Sequence, residues 1–290
     1  MFSFDEVSPQ GTVCQPAEDP CIGGFARLYT AISQAREAEP DSLLLNGGDT
    51  FQGTIWYNFL RWNVSQHFMN MLPHDAHAPM LGANVNTQLE PTMTPYIRNH
   101  VVVERRGRRI GIIGVLLRVF SAPIGQVIME DELEAVNREA ALLTAQGVDI
   151  IIVLSHIGAL ASQVSSDVDI IVGAHSHTLL FTGETPNGDT PASDYPTVVT
   201  QANGHQIPIV QASCYTRYLG NIKFVFDAQG KVLRTSTKHS RASLRQHVAP
   251  AGSLLSTTRC FLNSSMSLMN VEPSSGQSSA HASFASTNER

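Results

Sequence analysis

Three apolar runs along this chain stop abruptly at residues able to coordinate a metal. Leu43-Leu44-Leu45 leads through Asn46-Gly47-Gly48 to Asp49, Ile151-Ile152-Val153-Leu154-Ser155 leads to His156, and Ile170-Ile171-Val172 leads through Gly173-Ala174 to His175-Ser176-His177. The run over 42–46 predicts a strand, and the unbroken runs over 148–155 and 168–172 predict strands buried on both faces between helices. Helical spacing appears between them. Phe25, Leu28, Ile32 and Ala35 predict an amphipathic helix over 23–39, closed by Pro40. Ile55, Phe59, Val64, Phe68 and Leu72 predict a second helix ending near Pro73, its aromatic side chains packed in the core. Leu133, Val136, Ala140, Leu142 and Leu143 predict a third over 131–146, stopped by Gly147.

Elsewhere the pattern is that of hairpins. Segments 101–104 and 110–117 flank the turn Arg105-Arg106-Gly107-Arg108-Arg109, whose arginines read as solvated. Segments 198–200 and 207–211 flank Asn203-Gly204, and 219–226 and 232–237 flank Asp227-Ala228-Gln229-Gly230. Near-continuous strands, helices and antiparallel pairs together predict a mixed α/β sandwich, two layered sheets with helices outside. The turn-rich stretch 73–95 holds His74, Asp75 and His77, which between two prolines read as an exposed loop rather than a metal group. From Ser240 onward periodicity stops and Ser, Thr, Ala, His and Pro are frequent. Residues 1–239 are thus expected to form the folded domain, and 240–290 a mostly disordered tail.

Composition narrows the function. A formal charge of -6 over 290 residues, without extended basic clusters, argues against nucleic-acid polymers and anionic membranes as electrostatic partners. No apolar run approaches transmembrane length. Met1 is followed by Phe2-Ser3-Phe4-Asp5-Glu6, which lacks the basic start and apolar stretch of a signal peptide. Cys14 and Cys21 lie close together in a polar loop, which favours a local disulfide over two free thiols. Cys214 and Cys260 have no evident partner, and the sequons at Asn63 and Asn263 carry little weight.

The residues at the strand ends suit one chemistry. An Asp oxygen can bridge two cations, and neutral imidazoles suit zinc, manganese or iron. Two metals about 3.5–4 Å apart can clamp a phosphate and acidify the attacking water. A strand ending in Gly-Asp is common, and a lone His more often packs or faces solvent; three such segments in one chain are stronger evidence.

Gly23-Gly24-Phe25-Ala26-Arg27-Leu28, Gly48-Asp49-Thr50-Phe51-Gln52-Gly53-Thr54-Ile55-Trp56, Ser155-His156 and Gly173-Ala174-His175-Ser176-His177-Thr178 resemble the metallophosphoesterase domain of the 5'-nucleotidase and apyrase family. Phe181-Thr182-Gly183 and Tyr218-Leu219-Gly220 continue the likeness to about Lys238. The resemblance implies a layered α/β/β/α sandwich and a dinuclear centre hydrolysing extracellular nucleoside 5'-phosphates. It makes Asp49 the bridging carboxylate, gives His156 and His175 to the second metal and His177 to the first, and places the Cys14–Cys21 pair in a disulfide loop. Zinc is the favoured metal, with manganese, cobalt or iron as alternatives.

The chain departs from the family in three places. An opening Asp-x-His strand and the family's second, substrate-binding domain have no counterpart. The family's Gly-Asn-His-Glu segment is absent where Asp75-Ala76-His77-Ala78-Pro79 meets Met80-Leu81-Gly82-Ala83-Asn84. His77 and Asn84 do not inherit its roles, because their flanks differ. The expected result is a truncated domain with one of the two metals retained, and phosphohydrolase activity that is weak or absent. The alternatives are a non-catalytic metal- or ligand-binding remnant, or a splice or fragment product that does not fold stably. Family members are secreted or anchored at the cell surface, whereas this chain shows neither leader nor anchor. Oligomeric state and the preference among mono-, di- and triphosphates are not legible.

Overall fold

A computed structural model describes residues 3–18, 20–50, 55–75, 80–118, 125–156, 160–185, 188–227, 230–237 and 266–273. In chain order the elements are α1 (Ala26–Ala38), β1 (Leu43–Asn46), α2 (Ile55–Leu60), α3 (Trp62–Asn70), β2 (Met80–Leu81), β3 (Val85–Asn86), β4 (Ile97–Arg98), β5 (His100–Arg105) and β6 (Arg108–Leu116). There follow β7 (Ile128–Met129), α4 (Glu132–Ala145), β8 (Ile150–His156), β9 (Ile170–Gly173), β10 (Thr197–Thr200), β11 (Gln206–Val210), β12 (Gly220–Phe226), β13 (Val232–Thr237) and β14 (Met266–Pro273).

Two sheets carry the architecture. One has the order β10-β11-β9-β8-β6-β5, with β6, β8, β9 and β11 parallel and an antiparallel strand at each edge. The other has the order β1-β14-β12-β13. The alternation of side chains along a strand fixes how they stack. Leu43 and Leu45 pack with Ile222, Phe224 and Phe226 against the β6 and β8 side chains, so the two sheets face each other. Leu44 points the other way, onto Phe25, Leu28 and Ile32 of the α1 region. Ala135, Val136, Ala140 and Leu143 of α4 cover the far side of the six-stranded sheet. The layers therefore run α, β, β, α, as the sequence predicts.

Local chemistry explains several boundaries. The Asp131 carboxylate accepts the Glu134 N–H at the start of α4, and Gly147 at φ 70° supplies the left-handed residue that ends it. The helix expected over residues 55–72 is instead two, broken at Arg61, whose φ of 50° no helix accommodates. That break changes the fate of its aromatics. Val64, Phe68 and Leu72 pack inward, but Phe59 is 75% exposed, contrary to the expected core role.

Two further expectations need correction. Asp75 is not part of an exposed loop: its side chain is 5% exposed and pairs with Arg36 and Arg105. It also accepts the Leu44 N–H at 2.7 Å, capping the outer edge of β1. His77 lies outside the described residues. The hairpin arginines are likewise engaged, Arg105 with Asp75, Arg106 with Asp41, and Arg108 with Asp149. Their partners sit far away in sequence, which is why local polarity read as solvation.

The reading of 240–290 as mostly disordered misses β14, which lies in the middle of its sheet. It runs antiparallel to β1 and parallel to β12, so it joins the strand leading to Asp49 to the rest of that sheet. The remainder of that segment lies outside the described residues. Cys14 and Cys21 are joined, with Cα atoms 5.5 Å apart, and Cys214 is a free thiol. Among the described residues no helix is long and apolar enough to cross a membrane.

At the amino end of β9, Asp169 accepts the Ile151 N–H at 2.9 Å and tethers β9 to β8. Burial pushes its carboxyl up to about 7, against the partial relief of that hydrogen bond and of Lys231. A folded-state value above the unfolded value of about 3.9 means that Asp169 favours folding most below that value, and that the gain is lost as pH rises through about 7. Asp169→Asn keeps an acceptor for Ile151 without a charge to bury. It is expected to be more stable than the parent by roughly 1–3 kcal/mol at pH 8, with the difference shrinking toward pH 5. Urea unfolding at the two pH values measures this.

Candidate active site

The carboxyl ends of β1, β8 and β9 meet where the two sheets face each other. Past β1, the Gly48 N–H returns to the Asn46 side chain at 2.9 Å, and Gly48 (φ 95°) and Asp49 (φ 62°) both adopt left-handed backbone. β8 ends in His156, whose Nδ1 lies 2.8 Å from the Gly47 carbonyl oxygen. β9 continues into a turn in which His175 (φ 69°) and His177 (φ 54°) are also left-handed. Such conformations are uncommon outside glycine and concentrate at functional sites. Here three of the four candidate ligands share them.

The structure brings all four candidates together as two touching pairs. His177 Nε2 lies 2.9 Å from Asp49 Oδ2, and the His156 and His175 rings are 5.1 Å apart, edge to face. Gly48 links the pairs, since a Cβ there would fall 3.3 Å from His156 Nδ1. Among the described residues no three carboxylate, imidazole or thiol side chains already surround a single point as a metal would require. The arrangement is one of neighbouring ligand-type groups, one pair hydrogen-bonded and the other in ring contact.

The donor chemistry nevertheless suits a cation. A carbonyl can only accept, so His156 carries its proton on Nδ1 and keeps the Nε2 lone pair, the arrangement typical of ligating histidines. Burial lowers the His156 pKa, partly opposed by the Gly47 carbonyl and Asp49, which favours the neutral imidazole that binds metal. Burial works to raise the Asp49 carboxyl, but hydrogen bonds, that of His177 among them, and nearby positive charge outweigh it and hold it below its ordinary value. Asp49 is therefore anionic at neutral pH. The facing Asp49 oxygen and His177 nitrogen are both ligand-type atoms held apart by one proton. Their side chains are 24% and 31% exposed, so solvent reaches them.

Several residues around the site are not apparent from sequence. The Tyr215 ring lies 6.5 Å from that of His177, in a loop where Ser213, Tyr215 and Thr216 all have positive φ. The Thr216 hydroxyl accepts the Gly24 N–H, tying that loop to the Gly23-Gly24 turn. Gln211, 5% exposed, contacts the His175–His177 turn. A polar residue closing an apolar strand is the one signal that marks Gln211 in the sequence. Asn84, by contrast, is fully buried and brackets the Leu116 backbone through both amide atoms, so its role is structural.

Comparison with known proteins gives the family. The calcineurin-like phosphoesterase family matches residues 14–179. An apyrase of Tabanus yao is 37% identical over 263 residues, spanning 80% of this chain and 47% of that protein. A 5'-nucleotidase of Rattus norvegicus is 34% identical over 262 residues, spanning 79% of this chain and 45% of that protein. Among solved structures, a 5'-nucleotidase precursor from Thermus thermophilus aligns with a TM-score of 0.67 and 28% identity, covering 80% of this chain and 51% of that one. The chain spans about half the length of the curated relatives it matches.

Proposed function

The chain belongs to the calcineurin-like phosphoesterase family, and on that premise we propose that Asp49, His156, His175 and His177 hold divalent metal for hydrolysis of nucleoside 5'-phosphates. Zinc fits three imidazoles and a carboxylate best, with manganese, cobalt or iron as alternatives. When bound, the metal draws charge from the phosphoryl oxygens and makes the attacking water more acidic. The protein's part is to present the donors. Gly47 fixes the His156 tautomer, the left-handed turns aim Asp49, His175 and His177, and the exposed edge of the Asp49–His177 pair admits substrate and water.

The observation that supports this reading most is the meeting of ligand-type residues from three strand ends, three of them in strained backbone. Turnover is expected to be slow. The segment that supplies a transition-state imidazole in the family has no counterpart before Asn84, and charge stabilisation is usually the largest part of catalysis. The names of the relatives favour nucleotides as substrates, and the Cys14–Cys21 disulfide suits an oxidising, extracellular setting.

Phosphate release from AMP by zinc- or manganese-loaded protein tests the proposal. Slow release that stops on chelation and in His156→Ala is the expected result. Release indifferent to both contradicts it, and stoichiometric zinc without turnover favours the non-catalytic binding alternative.

A further inference from the structure

We propose that Gln211 is a positioning residue that holds the turn carrying His175 and His177 in its ligand-presenting shape; the inference rests on the metal-ligand reading above. Gln211 directly follows β11, which runs parallel beside β9, so the two strands deliver Gln211 and the histidine turn to the same end of the sheet. The backbone is stitched there as well. Leu180 N–H donates to the Gln211 carbonyl, and Ser213 N–H to that of Thr178.

The side chain completes the contact. Its amide faces the backbone N–H groups of His177 and Thr178, and because those groups can only donate, the atom turned toward them is the oxygen. In that orientation the oxygen accepts from Thr178 N at 2.9 Å, His177 N at 3.3 Å and the Ser176 hydroxyl at 2.9 Å. One buried acceptor thus satisfies two consecutive amides of a turn whose histidines both have positive φ. Without it those donors lose the fixed partner that pins them, and the turn loses what holds His175 and His177 in an unfavourable conformation.

Gly173 makes room for this clamp. A Cβ at Gly173 would fall 2.7 Å from the Gln211 amide, close enough to push it aside. The backbone of Gly173 lies outside the left-handed region, so alanine there disturbs the contact without straining the strand. The same interaction can therefore be broken from either side.

The test combines two readouts on the full chain. Hydrogen exchange followed by NMR in metal-free protein reads the His177 and Thr178 amides, with the β8 amides as the check on folding. Cobalt titration followed by visible absorption reads the ligands. Gln211→Met, similar in volume but without the acceptor, and Gly173→Ala are each expected to speed exchange at the two turn amides at least about tenfold with β8 unaffected. Both are expected to weaken cobalt binding about 10–100-fold, as loss of a group supporting a metal ligand does. Gln211→Glu keeps the acceptor and is expected to restore protection and most of the affinity. Wild-type protection and affinity in Gln211→Met, or equal losses in the Glu and Met variants, would overturn the positioning role. Wild-type protein that takes up no cobalt, while the turn amides still respond to Gln211→Met, overturns the ligand reading instead.

Discussion

Ending the chain after Thr237 is expected to abolish the cooperative thermal transition or to lower its midpoint by more than about 10 °C. The cause lies in β14. Residues Ser267–Met269 face both Leu43–Leu45 on one side and Gly220–Ile222 on the other, so one strand carries two ladders. Its removal leaves a gap of two strand spacings, about 9.5 Å, between β1 and β12. The strand edges on both sides of that gap lose their backbone partners, and each buried, unpaired group costs about 1–3 kcal/mol. Leu43 and Leu45, which help close the core between the sheets, lose the support of a paired strand. A synthetic peptide spanning residues 262–276 is expected to raise the midpoint of the shortened chain. A shortened chain that melts like the parent would show that β14 does not complete the sheet.

The second large effect is expected at His156. Its imidazole stands at the junction of the two pairs, hydrogen-bonded to Gly47, in ring contact with His175 and close enough to Asp49 to feel its charge. Loss of a group that merely supports a metal ligand costs about 10–100-fold in affinity. Loss of a ligand itself should cost more, so His156→Ala is expected to retain no zinc after dialysis and to release no phosphate from AMP. The fold should survive, because the β8 ladders to β6 and β9 involve backbone alone. Zinc content and phosphate release, measured beside circular dichroism, separate the site from the scaffold. A folded variant that keeps its zinc would remove His156 from the ligand set.

The sequence made some elements legible and hid others for physical reasons. β8 and β9 are plain in it because strands covered on both faces read as unbroken apolar runs, and α4 because its cap, apolar stripe and stop glycine agree. The four candidate ligands stand out because their side chains end those runs. Asp75 is obscure for the opposite reason. Its partners Arg36, Arg105 and the Leu44 N–H lie some thirty or more residues away, and only the fold brings them together. β14 is obscure because Met266-Ser267-Leu268-Met269-Asn270 has little β-branched character and sits in a Ser-rich setting, so its strand form depends on the neighbours that receive it. The pairing of Asp49 with His177 across 2.9 Å is equally a product of tertiary structure, 128 residues apart in the chain.

The most direct measurement is the zinc-edge X-ray absorption spectrum of the zinc-loaded protein. If Asp49 and the three histidines hold the ion, the first shell is nitrogen and oxygen at about 2.0–2.2 Å, with the outer-shell scattering of imidazole and no sulfur. Cys214 lies near enough to Asp49 to feel its charge, and burial keeps its thiol protonated. A sulfur shell at about 2.3 Å, or a spectrum without imidazole, would contradict the assignment.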